Sequence, residues 1–180
     1  MVEEKKDKWT TYMAISTVII VVCATLSTFK GGGFSNKSLM NQTSASDQWS
    51  FYQSKSLKSY IFEMQKDNLE LQSDNLIKTD PSSELIAKYK EKIASYQSKI
   101  HDYELDKEEI SVKAKKFEAD RDDCKLHSSA FGIAVIFLQI SILLSSISAL
   151  AKKKFVWFLS LAVGVLGIFF FIDGFFLFLH

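Results

Sequence analysis

Asp173 is a carboxylate set within residues 155–179, an apolar run that carries no other charge. A carboxylate among membrane-spanning residues is costly, and it ordinarily marks an ion or proton site or pairs with a buried cation. Lys125 and His127 would gather at the same outer face as Asp173 if that run crosses a membrane, so an ion pair there is the structural alternative to transport chemistry. Other candidates for chemistry are spaced wrongly. Residues 31–38 approach a phosphate-binding loop through Gly31, Lys37 and Ser38, but Asn36 stands where the second glycine belongs, and an apolar run rather than a strand precedes them. His101, His127 and His180 lie far apart without ligand spacing or a neighbouring cysteine pair, so no metal site is expected. Cys23 falls inside an apolar run and Cys124 outside one, which argues against an intramolecular bridge. Cys124 reads as a small buried thiol or, in an oligomer, as a residue able to meet its copy. Asn36 and Asn41 open glycosylation sequons short enough to arise by chance. With no paired carboxylates, activated nucleophile or cofactor motif, the chain reads as a non-enzyme without cofactors.

The elements that must position these groups begin with three apolar runs, residues 9–29, 128–150 and 155–179. Each is close to or above the roughly 20 residues that a helix needs to cross the hydrocarbon core. Lipid satisfies no backbone N–H or C=O, so each run is expected to be a helix with its hydrogen bonds closed internally. Residues 9–29 are too long for a secretory signal core and lack a small-residue cleavage site, which makes them an uncleaved anchor. The net charge of +1 hides this pattern by averaging apolar runs with a charged middle. Lys5, Lys6 and Lys8 in the tail 1–8, and Lys152, Lys153 and Lys154 in the loop 151–154, are the short basic segments. The positive-inside rule places both in the cytoplasm and residues 30–127 outside, since long domains translocate largely regardless of charge.

The middle segment holds 16 Lys and Arg against 17 Asp and Glu, a balance that offers no basic face to nucleic acid. Residues 30–45 read as a linker whose Gly31, Gly32 and Gly33 release the chain from a continuous helix. Residues 46–127 read as a coiled-coil stalk folded at 79–83, where Pro81 is the chain's only proline. Beyond that turn, Ile86, Tyr89, Ile93, Tyr96, Ile100, Tyr103, Ile110 and Phe117 recur in steps of three and four on one seam, which continues through Lys107, Ala114, Arg121 and Cys124. That seam would pack on the first stalk helix or on a neighbouring copy. Before the turn, Leu57, Ile61, Met64, Asn68, Leu71 and Asn75 keep the same spacing, whereas Trp49 and Tyr52 sit on a shifted face. The two Asn weaken the seam and could fix its register. The fold expected is therefore all-α: three transmembrane helices with an antiparallel helical hairpin between the first and second.

Small residues form stripes in all three runs: Ala14, Thr17, Ala24 and Thr28; Ala134, Ser141, Ser145 and Ser148; Ser160, Gly164, Gly167 and Gly174. Such stripes let helices approach closely in lipid. Asp47, Trp49 and Tyr52 belong to the stretch 45–58, Ala-Ser-Asp-Gln-Trp-Ser-Phe-Tyr-Gln-Ser-Lys-Ser-Leu-Lys, which follows one span and precedes a stalk and two closing spans. In that motif and span order the chain resembles the bacterial membrane family called domain of unknown function 4337. The resemblance implies a bacterial inner-membrane protein and carries over no activity, cofactor or catalytic residue. Asp47 is expected in the first turn of the stalk helix, where its charge would favour the dipole, with Trp49 and Tyr52 at the membrane interface or packed on the second stalk helix. The function expected is a homo-oligomeric scaffold, or an accessory subunit of a larger membrane complex, embedded in lipid with its stalk on the periplasmic side. The alternative is a small channel or transporter component that uses Asp173.

Overall fold

The computed structural model describes residues 8–82 and 84–179. The tail lysines Lys5 and Lys6, Ser83 of the expected turn, and His180 lie outside the described residues. The chain forms three helices, α1 (Lys8–Thr79), α2 (Glu84–Ala151) and α3 (Lys154–Phe176), with no strand among the described residues. Each helix is long and apolar enough to cross a membrane.

The expected break at Gly31 to Gly33 does not occur, because α1 passes through all three glycines as helix. Local propensity opposes this by about 1 kcal/mol per glycine relative to alanine. Helix propagation is cooperative, however, and a break would strand backbone groups on both sides. Gly31 also has a packing role. A Cβ there would sit 3.0 Å from the Phe131 Cβ, and the Ser128 hydroxyl donates to the Gly31 carbonyl at 3.1 Å. α2, whose only glycine is Gly132, likewise runs unbroken.

α1 ends in an Asx turn. Asp80 Oδ1 accepts from the Ser82 backbone N–H at 3.3 Å and from its hydroxyl at 2.9 Å, with Pro81 between them. Between α2 and α3 the chain turns at Lys152, which adopts the left-handed conformation with φ 51. The Ser148 hydroxyl donates to the Lys153 carbonyl and ties the turn down. α3 stops at Phe176, short of the end of the third apolar run, because Leu177 takes a left-handed φ of 49.

The described residues sort into two compact units, those within Met1–Met40 and Asp120–His180, and those within Asn41–Ala119. In the first unit, Ile20, Ala24, Ala134 and Leu138 form the core. α3 turns Ser160, Gly164, Gly167 and Gly174 inward, and α2 buries Ala134, Ser141, Ser145 and Ser148. These are the expected stripes. α1 follows expectation only in part: Ala24 is buried and Thr17 half-buried, but Ala14 and Thr28 are exposed, and Met13, Ile20 and Ser27 are buried instead. The space at Gly164 explains the shift, since a Cβ there would meet Ile20 Cδ1 at 2.9 Å. A large residue on α1 fills the notch that a missing side chain on α3 leaves. Reciprocal hydrogen bonds join α2 to α3, Ser141 Oγ to the Ser160 carbonyl at 2.7 Å and Ser160 Oγ to the Ser141 carbonyl at 2.8 Å. Thr17 and Ser145 hydroxyls join α1 to α2.

In the second unit, the α2 seam residues Ile86, Tyr89, Ile93, Tyr96, Ile100, Tyr103, Ile110 and Phe117 are all buried or half-buried. The α1 seam reverses the expectation. Leu57, Ile61, Met64, Asn68, Leu71 and Asn75 are exposed, and the inward face is Tyr52, Ser59, Phe62, Lys66, Leu69, Ser73 and Leu76. These keep the same three-four spacing on the side of α1 opposite the apolar stripe. Contacts fix the pairing: Trp49 meets Glu118, Lys55 meets Asp106, and Phe62 meets Tyr96 and Tyr103, so partner numbers fall as α1 numbers rise.

Candidate functional site

Asp173 is 1% exposed on the last turns of α3. Its Oδ1 accepts the Leu179 backbone N–H at 3.0 Å, and its carbonyl accepts the Leu177 N–H at 2.7 Å. The second bond satisfies a carbonyl at the helix end, and the first gives the Leu179 N–H, beyond the helix, a partner. The left-handed Leu177 is what swings Leu179 back onto the carboxylate. Oδ2 is enclosed and has no hydrogen-bond partner among the described residues.

His127 lies beside this carboxylate but engages the neighbouring backbone. Its Nδ1 is 2.8 Å from the Gly174 carbonyl, which can only accept, so Nδ1 carries a proton. Nε2 then faces Asp123 Oδ2 at 3.8 Å. The ring stacks on Phe34 at 4.5 Å, and Phe34 in turn stacks on Phe131 at 6.0 Å. Phe131 is fully buried, and a Cβ at Gly174 would come within 2.8 Å of its ring. Asp173 makes no ion pair with Lys125 or His127 among the described residues, and Lys125 is exposed. The arrangement brings His127 and Asp173 to one end of the three-helix unit through Gly174 and leaves Lys125 outside it. Cys23 and Cys124 are both free thiols, with Cys124 buried.

The motif residues take different places. Asp47 is exposed in the interior of α1, far from any helix start, so the dipole argument for it fails once α1 begins at Lys8. Trp49 donates its indole N–H to Glu118 at 2.9 Å and meets Tyr52 edge-on at 5.6 Å. Lys107 Nζ lies 5.7 Å from the Tyr52 ring.

Between the two helices of the second unit, lysines lie over rings and end on carboxylates. Lys55 reaches Asp106 at 2.7 Å while its ammonium lies 5.2 Å from the Tyr103 ring. Lys stems cover apolar surface while their charged ends find partners. Glu104 accepts from Lys107 at 2.6 Å and from the buried Ser59 hydroxyl at 3.1 Å. The Lys107 hydrogen bond holds the Glu104 carboxyl below the usual carboxylate range, and the same bond raises Lys107. Lys55, Ser59 and Lys66 carry no apolar signal in the sequence because they are polar, although all three are buried or half-buried. The signal was present in Trp49 and Tyr52, whose shifted register is the register of the contact face.

Comparison with known proteins gives one match. The family model described as domain of unknown function (DUF4337) matches residues 9–177, nearly the whole chain. No curated protein and no solved structure matches.

Proposed function

The chain belongs to that family, and on that premise we propose that it is a non-enzymatic integral membrane protein, a self-associating scaffold or an accessory subunit of a larger membrane complex. The interaction element is an antiparallel helical hairpin serving as a stalk. One observation carries this reading: residues 41–119 form a compact unit whose polar side chains join helix to helix, Trp49 to Glu118, Lys55 to Asp106 and Ser59 to Glu104. Such polar joins between helices support a unit that holds its shape. Extraction of the full chain in mild detergent should give a mass that is a multiple of the chain, or one that includes a co-purifying membrane protein. A bare monomer sinks the proposal.

A second reading, a conduit, is favoured by Oδ2 of Asp173, enclosed and without a partner among the described residues. The same preparation decides it when reconstituted. We expect no ion flux above empty liposomes, and Asp173→Asn should assemble like the parent, since Asn keeps the acceptor used by Leu179. Flux in the parent that disappears in Asp173→Asn would establish the conduit.

The orientation belongs to the same proposal: a bacterial inner membrane, with the N-terminal tail and Lys152 to Lys154 cytoplasmic and residues 30–127 periplasmic. The short basic segments support it. A cysteine introduced at Ser98, which is exposed on α2, should react with an impermeant maleimide in intact cells. Reaction only after permeabilisation inverts the orientation.

A further inference from the structure

The apolar stripe that α1 turns outward is too regular to be scattered surface. Leu57 is 61% exposed, Ile61 44%, Met64 57% and Leu71 67%, and Asn68 and Asn75 complete the spacing. We propose that this stripe is the seam of a parallel two-stranded coiled coil with α1 of a second copy of this chain.

The residue types select two strands. With Leu57, Met64 and Leu71 at d, the a positions are Ile61, Asn68 and Asn75. A β-branched residue at a with leucine at d favours a dimer, and Asn at a fixes register and strand number at some cost in stability. The same Asn residues select the occupant. A seam amide taken out of water needs a hydrogen-bonding mate in its own layer. A parallel, in-register copy supplies one at both layers together, Asn68 to Asn68 and Asn75 to Asn75. An unrelated apolar helix would leave both amides unsatisfied. In the single chain Gln72 donates to Asn68 Oδ1 at 2.6 Å, which keeps the amide on the seam face with its N–H groups available.

Parallel direction follows from α1 itself. In every copy the seam follows the first apolar segment by the same stretch of chain, so copies inserted with the same membrane orientation start their seams from the same side of the membrane. Charge agrees. In a parallel pair the flanking positions oppose Asp67 to Gln72 and Asp74 to Thr79, with no like charges facing; an antiparallel mate would put these aspartates in one row. The inward face of α1 stays on α2, so the hairpin need not open for the copies to meet.

This inference rests on the proposed self-association and names the surface that performs it. The test uses the full chain in its native membrane, with Cys23→Ser and Cys124→Ala as background. Leu57→Cys and Leu71→Cys should convert most of the chain to a disulfide-linked dimer under mild oxidation, and Glu63→Cys and Glu70→Cys, exposed off the seam, should give traces. Leu71→Asp should lose the dimer mass with helicity unchanged, because position 71 is outside the hairpin core. An assembled parent that shows no crosslink preference and keeps its mass in Leu71→Asp overturns the seam and leaves the scaffold reading standing. A monomeric parent with no companion overturns both. Release of a different protein by Leu71→Asp overturns the second copy as occupant.

Discussion

Gly167→Ala and Gly33→Ala, the same exchange in two helices of one chain, should change stability in opposite directions. A Cβ at Gly167 would lie 2.7 Å from Leu138 Cγ, 2.8 Å from Cδ2 and 3.0 Å from the Leu138 backbone nitrogen. The Leu138 side chain is fully buried and has little room to rotate, and the backbone nitrogen moves only if α2 and α3 separate. Overpacking of this kind costs about 1–3 kcal/mol. A Cβ at Gly33 would meet nothing within 4 Å. That position gains the helix propensity of alanine, up to about 1 kcal/mol. Thermal unfolding of the two variants in the same detergent should place their midpoints on either side of the parent. If Gly167→Ala is as stable as the parent, α3 does not pack on Leu138. If Gly33→Ala is destabilised, the face of α1 at Gly33 is covered by a partner.

The glycines show what sequence could and could not reveal. Gly164, Gly167 and Gly174 were legible as a stripe because their spacing repeats the helix period, and the structure turns all three inward. Gly31 to Gly33 have no such period, so they read as a breaker, while the length of α1 carries the helix through them. The α2 seam was legible because Ile and Tyr alternate along it from Ile86 to Tyr103. The inward face of α1 was hidden by Lys55, Ser59, Lys66 and Ser73, polar residues of which Lys55 and Ser59 reach carboxylates on α2. Apolar count pointed instead to the outward stripe. At Asp173, the apolar run announced an unusual carboxylate and the span lengths brought His127 near it. Its hydrogen bond to Leu179 depends on a left-handed Leu177, which no propensity rule foretells.

Ala114 and Val112 give the sharpest test of which side of α2 is the packed one. They are two residues apart on one helix, with Ala114 fully enclosed and Val112 63% exposed. Aspartate at 114 must place a carboxylate where a methyl group has no solvent, on a seam whose neighbours Ile110 and Phe117 offer no hydrogen bond. A buried, unpaired charge is among the few single changes that cost on the order of 3 kcal/mol or more. The same carboxylate at 112 stays in water and should change stability by no more than about 0.5 kcal/mol. We therefore expect Ala114→Asp to lose helicity at a temperature well below the parent, as read by circular dichroism of the full chain, and Val112→Asp to melt with it. Equal losses in the two variants, or a larger loss at 112, would mean that α2 packs through its other face and that the Ile and Tyr seam is not what holds residues 41–119 together.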